Sequence, residues 1–224
     1  MVKRALLVLD LGSYTLLLLR IASIAFTPSE LTYSGVRYTI CMPERYNTLH
    51  TKTAVDAALS RIAAEIIRDH EASRPLFVAL LRGAAPFATK LMFEIAQQAP
   101  DMHPEIDYMM VSTYGNATQA HEPQIITDLA PTTEVENRPV IIVDDVLDKG
   151  ITAQFVREHL QNMGATPPQL AVLVEKQTTR NYPITPDYCG FTASDEWLVG
   201  MGMDDADLCL EGNRWLEEIR EIRR

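Results

Sequence analysis

The stretch Val140-Ile141-Ile142-Val143-Asp144-Asp145-Val146-Leu147-Asp148-Lys149-Gly150-Ile151-Thr152 constrains the fold of this chain more than any other. Four consecutive β-branched apolar residues predict a strand buried on both faces, as in a parallel sheet. Two adjacent acids follow, at the expected strand end. Unpaired charge is costly to bury, so that end must open onto solvent, a cation or a polar ligand. A turn with glycine then leads into a helix whose apolar face is marked by Ile151, Phe155, Val156, Leu160 and Met163, with Gly164 placed to stop it. Backbone N–H groups converge at such a helix start, and the positive end of the helix dipole favours an anion. The arrangement suits a phosphate.

Similar units recur along the chain. Residues 76–81 predict a second buried strand, followed by Arg82-Gly83-Ala84-Ala85-Pro86 and a helix from about 86 to 98 with proline in its first turn. Residues 106–111 and 169–174 predict two more strands, the last running into Glu175-Lys176. Residues 53–70 carry Val55, Ala58, Leu59, Ile62, Ala63, Ile66 and Ile67 at helical spacing, with a capping-box-like start at Thr53 and Asp56. Repeated βα units predict an α/β fold: a twisted, mainly parallel sheet flanked by helices, with ligands at the carboxyl ends of the strands.

A chain of 224 residues can bury one sizeable core. Its net charge of −10 argues against nucleic acid as a partner, because phosphate backbones bind basic faces. Acidity does not exclude an anionic small substrate, since Mg²⁺ bridges carboxylates to phosphates. Cys41, Cys189 and Cys209 are far apart with no CxxC pair, which fits reduced thiols in the cytoplasm. Asp10 and Arg20 interrupt the apolar runs near the start, leaving neither long enough to span a bilayer. No membrane partner is expected, and residues 1–30 read as an extension that supplies an extra strand or strand pair.

The segment from Val143 to Thr152 resembles the phosphoribosyl-diphosphate (PRPP) signature of type I phosphoribosyltransferases: apolar residues, two acids, two apolar residues, Asp, usually Thr, Gly, any residue, Thr. Lys149 stands where Thr is usual. Leu81-Arg82-Gly83 is similar to the family's diphosphate loop, in which a basic residue precedes glycine. Ser112-Thr113-Tyr114-Gly115 resembles the mobile loop that closes over the site in the hypoxanthine enzymes and excludes water. From Asp148 through Lys176 to Trp197 and Asp204 the chain keeps that family's register without a gap. After Asp204 the family has an arginine where this chain has Leu210, and four inserted residues bring Arg214-Trp215-Leu216 into the pattern.

The resemblance implies a single phosphoribosyltransferase domain over 1–224, with a small hood built from the N-terminal part and about 180–224. It implies transfer of phosphoribosyl from PRPP to a 6-oxopurine (hypoxanthine or guanine), giving IMP or GMP and diphosphate in purine salvage, with Mg²⁺ as cofactor and a homodimer or homotetramer as the assembly. Asp144 and Asp145 would accept hydrogen bonds from the ribose hydroxyls and hold Mg²⁺, with Asp204 on a second Mg²⁺. Asp148 would be the catalytic acid/base group. Asp148, Lys149, Gly150, Ile151 and Thr152 would grip the 5′-phosphate. Arg82, Gly83 and Arg214 would take the diphosphate, and Thr113 and Tyr114 would belong to the lid. Lys176 would donate to O6 and repel the amino group of adenine, Trp197 would stack on the base, and the Leu198 backbone would read its edge. A non-catalytic PRPP- or nucleotide-sensing regulator on the same scaffold is the other reading; Asp148 and Lys176 favour the enzyme. The tail from 215 to 224 alternates charge and reads as a solvated helix.

Overall fold

In the computed structural model, residues 31–33, 36–38, 45–70, 72–112, 123–209 and 211–223 are described. Contacts group Met1–Arg45 with Arg223 as one compact unit and Tyr46–Ile222 as the body of another. The described part of the first is an antiparallel pair, β1 (Leu31–Tyr33) and β2 (Val36–Tyr38), with Leu31 opposite Tyr38. Residues 1–30, expected to add a strand or strand pair, lie outside the described residues.

The second unit runs β3 (Tyr46–His50), α1 (Lys52–His70), β4 (Leu76–Leu81), α2 (Ala85–Gln98), β5 (Glu105–Ser112), β6 (Gln124–Thr127), β7 (Val140–Leu147), α3 (Ile151–Asn162), β8 (Gln169–Lys176), β9 (Tyr188–Ala193), β10 (Leu198–Val199) and β11 (Ile219–Ile222). Six strands form one sheet in the order β6-β5-β4-β7-β8-β9, parallel except for β6. The strands predicted from apolar runs are its centre. Phe77, Val78, Ala79, Ile141, Ile142, Leu170 and Ala171 are wholly buried, because helices cover both faces. From β4 the chain steps outward through α2 to β5, and from β7 it steps the other way through α3 to β8. Right-handed crossovers in opposite directions put α2 and α3 on opposite faces and open a crevice between the carboxyl ends of β4 and β7.

Several local expectations shift. The helix α1 begins at Lys52, one residue before the predicted cap, and Thr51 is the residue that caps it: its Oγ1 accepts the Ala54 N–H at 3.3 Å. Asp56 is not a capping-box partner, because Lys52 and Lys90 take its carboxylate. The fully buried stripe of α3 is Ala153, Val156 and Leu160, while Met163 is exposed. Gly164 stops this helix as predicted, with its own N–H on the Gln161 carbonyl and the Ala165 N–H on Leu160.

A second sheet joins distant parts of the sequence in the order β10-β11-β3, all antiparallel. The tail expected to be a helix is its central strand. Ile219 is fully buried, and pairing of Ile219 with His50 on one side and of Arg220 with Val199 on the other outweighs the charge alternation. His50 also stacks on Phe191 of β9, with ring centroids 3.8 Å apart. Among the described residues no helix is long and apolar enough to cross a membrane, and Cys189 and Cys209 are both free thiols.

Candidate active site

The crevice between β4 and β7 is where the acids lie. Strand β7 does not end at Val143, as its apolar run suggested, but continues through both acids to Leu147. Its two neighbours explain this. Pairing with β4 stops at Ala79–Val143, whereas pairing with β8 runs on to Leu147–Glu175. Asp144 and Asp145 therefore sit on a strand still held on one side and opened on the other.

Asp145 is buried and Asp144 partly buried. Burial pushes the Asp144 carboxyl well above the usual carboxylate range, and the adjacent charge of Asp145 adds to this. Burial raises Asp145 as well, against the opposing pull of nearby Arg214. Asp144 accepts the Asp145 N–H at 3.1 Å and Asp145 accepts the Val146 N–H at 2.9 Å, but among the described residues neither forms an ion pair. Two adjacent carboxylates without an ion-pair partner among the described residues suit a small divalent ion, which takes one or two protein carboxylates and completes its shell with water and substrate oxygens. No three His, Cys, Asp or Glu side chains among the described residues converge as a closed metal cluster.

Glycines make this packing possible. A Cβ on Gly83, at the end of β4, would lie 2.5 Å from Asp145 Oδ2. One on Gly202, whose φ is +120°, would lie 2.0 Å from the Gly83 carbonyl and 2.9 Å from Asp145 Cβ. The Arg82-Gly83 loop, Asp145 and the turn after β10 are thus in direct contact, and the Leu81–Arg82 peptide is cis.

Past β7 comes the turn expected to hold an anion. Gly150, at φ +77°, is the residue before α3, and no side chain caps that helix. The first helical bond runs from the Gln154 N–H to the Gly150 carbonyl, which leaves the amides of Ile151, Thr152 and Ala153 without intrahelical partners. Lys149 does not reach over this turn. Its ammonium donates to the Thr179 carbonyl at 3.4 Å and lies 3.7 Å from Asp148 Oδ1. A hydroxyl in its place would be too short for either contact. Asp148 accepts a hydrogen bond from Thr178 Oγ1 at 2.7 Å, a contact the sequence reading missed because a lone threonine carries no signal.

The other predicted residues come from the neighbouring strands. Lys176 ends β8, one residue beyond the Leu147–Glu175 pair, so it lies alongside Asp148. It is 9% exposed, and its ammonium has no hydrogen-bond partner among the described residues. Lys176 pairs in turn with Ala193, the last residue of β9, and Trp197 follows shortly after. The indole is 48% exposed and borders a cavity of about 300 Å³ shared with Asp195, Glu196 and Ile222, so it is not core packing. Ile222 donates to the Trp197 carbonyl at 2.8 Å, and Leu198 stands opposite Glu221. In an antiparallel ladder the alternate residue turns its N–H and C=O away from the partner, so the Leu198 backbone faces outward from this sheet edge.

At the opposite end, Arg214 Nη2 lies 3.1 Å from Asp204 Oδ1, and Arg214 also binds Glu211 and the Gly202 carbonyl. Glu211 joins Arg214 to Arg82, whose Nη1 is 2.8 Å from its carboxylate. The structure brings together Arg82, Gly83, Asp145, Asp204 and Arg214 on one side, and Asp148, Lys176 and the start of α3 on the other. Thr113, Tyr114 and Leu210 lie outside the described residues.

A parallel sheet whose switch point carries paired acids, an uncapped helix start and a buried lysine defines a nucleotide- or sugar-phosphate-handling α/β protein. Residues 45–206 match the phosphoribosyl transferase domain, and the chain belongs to that family. It is 32% identical over 160 residues to the hypoxanthine-guanine phosphoribosyltransferase of Streptococcus mutans, covering 71% of this chain and 85% of that one. It is 36% identical over 150 residues to the bifunctional protein TilS/HprT of Listeria innocua, covering 66% of this chain but only 22% of that longer protein. A crystal structure of a hypoxanthine phosphoribosyltransferase from Staphylococcus aureus superposes with a TM-score of 0.70 at 30% identity, covering 79% of this chain and 91% of that one.

Proposed function

We propose that this chain transfers the phosphoribosyl group of PRPP to a 6-oxopurine, hypoxanthine or guanine, yielding IMP or GMP and diphosphate in purine salvage. The observation that supports this is the alignment of neighbouring strand ends, in which Asp148 follows the Leu147–Glu175 pair, Lys176 pairs with Ala193, and Trp197 comes four residues after Ala193. Diphosphate leaves C1′ as a purine nitrogen attacks, so positive charge grows on the sugar and negative charge on the leaving group. Asp144 and Asp145 hold the ribose hydroxyls and stabilise the developing positive charge. Free amides at the start of α3, with the Thr152 hydroxyl, bind the 5′-phosphate. Asp148 takes the proton that the purine imidazole must lose. Lys176 donates to O6, and adenine is rejected because its amino group would face the ammonium. Trp197 stacks on the base while the outward-facing Leu198 backbone pairs with its edge. Asp144 and Asp145 would hold Mg²⁺ and Asp204 a second ion, and the metal would supply charge neutralisation of the diphosphate.

The three-stranded sheet of β3, β11 and β10 is the hood over the base, Thr113 and Tyr114 belong to the lid, and the protein works in the cytoplasm as a homodimer or homotetramer. Asp148 and Lys176 at one edge favour an enzyme over a sensor. A Mg²⁺-dependent assay with each purine base tests the reading, with Asp148→Asn as control. The variant keeps PRPP affinity and loses turnover by about 10²-fold or more, the usual contribution of a positioned base. Undiminished turnover at saturation would remove Asp148 from the chemistry.

A further inference from the structure

The two arginines assigned above to the diphosphate share one carboxylate. Glu211 Oε1 sits 2.8 Å from Arg82 Nη1, and its other oxygen binds Arg214 Nε. These residues come from the loop after β4 and from the turn before β11, and Glu211 belongs to the stretch that carries the four extra residues between Asp204 and Arg214. Arg214 is 11% exposed and uses its remaining guanidinium nitrogens on Asp204 and the Gly202 carbonyl. Arg82 is 60% exposed, and its only ion pair among the described residues is the one with Glu211. Two guanidiniums are thus matched by two carboxylates, and the quartet offers an incoming anion no net positive charge. The Arg82 guanidinium holds the Glu211 carboxyl below the usual glutamate range.

Resting on the diphosphate reading of this end of the crevice, we propose that Glu211 is a built-in competitor for diphosphate, bridging Arg82 and Arg214 and withdrawing when PRPP binds. A carboxylate spanning two guanidiniums makes the same charge-assisted contacts that phosphate oxygens would make. Its presence lowers affinity for the diphosphate group by the fraction of molecules in which the bridge is open. The same effect limits retention of product diphosphate, which the bare arginine pair would hold more tightly.

The test is calorimetric titration of magnesium diphosphate into the full chain and two variants. Glu211→Gln keeps shape and removes charge; Glu217→Gln removes a charge that pairs with Lys52 and Lys90 instead. Glu211 has φ +63°, so Glu211→Asn, a residue that accepts this backbone, repeats the test should the glutamine variant melt early. Glu211→Gln binds magnesium diphosphate about five- to tenfold tighter than the parent, and its KM for PRPP falls by a similar factor. Glu217→Gln stays within about twofold of the parent, as expected for a remote, screened charge. Equal or weaker binding by the Glu211 variants, with the parent binding normally, overturns the competitor role and leaves the diphosphate site standing. No binding by parent or variant at millimolar diphosphate overturns the site itself, and the competitor with it.

Discussion

At the scale of single residues, Thr178 is the contact whose removal should be most informative. Its hydroxyl donates to Asp148 at 2.7 Å, the shortest hydrogen bond that carboxylate makes among the described residues. A hydrogen bond to the charged oxygen fixes the direction in which that carboxylate faces its proton donor. Thr178→Val should lower kcat about tenfold or more, the worth of one hydrogen bond to a charged group, and Thr178→Ser should restore it. A serine variant as slow as the valine variant would reduce Thr178 to packing. Lys149 teaches the complementary lesson: the family signature led to a phosphate ligand, but a long ammonium beside a carboxylate folds back onto Asp148 and Thr179.

At the scale of elements, legibility followed the range of the interactions that create each one. Helix α1 and strands β4, β7 and β8 could be read from local pattern because burial on one or both faces stamps a period into the sequence. Strand β6 could not: four residues at a sheet edge, three of them exposed, carry no such pattern. Nor could the continuation of β7 through two acids, which depends on the ladder with β8, or the fit of Gly83 and Gly202 against Asp145, which only the folded chain reveals. Asp107 of β5 is another contact of this kind. Partial burial works to raise its carboxyl, but hydrogen bonds from Thr133, the Ala130 N–H and the Tyr108 N–H outweigh it and hold it below the usual aspartate range. A carboxyl depressed in the folded state leaves the unfolded chain binding more protons, so its stabilisation is present above the unfolded pKa and fades as pH falls through the folded one. Asp107→Ala should cost about 2 kcal/mol by urea unfolding at neutral pH. That difference should be level through neutrality and shrink below about pH 4, where the carboxyl of the unfolded chain begins to protonate while the folded one does not. A gap undiminished in acid would mean that packing, not charge, is what Asp107 contributes.

For the whole molecule, the decisive relation is between the six-stranded sheet and the small sheet of β3, β11 and β10. The first supplies the acids, the anion turn and Lys176; the second holds Trp197 and Leu198 through β11, whose Ile222 N–H binds the Trp197 carbonyl. This division was only half visible in the sequence, because β11 pairs with residues about 170 positions away and reads locally as a charged tail. It predicts that the two substrates can be perturbed separately. Ile219 is fully buried at the centre of the small sheet and lies far along the chain from the turn at Asp148–Thr152 proposed to hold the 5′-phosphate. Ile219→Ala should cost about 2–4 kcal/mol as a large-to-small core change. The loosened strand should let Trp197 and Leu198 drift, so KM for hypoxanthine should rise several-fold while KM for PRPP stays within about twofold, since misplacing a binding group by an ångström weakens what it contacts. Initial-rate kinetics at saturating co-substrate measure both values in one preparation. An equal rise in the two constants would mean that β11 supports the whole crevice, and that the base and the phosphates are not held by separable parts of the fold.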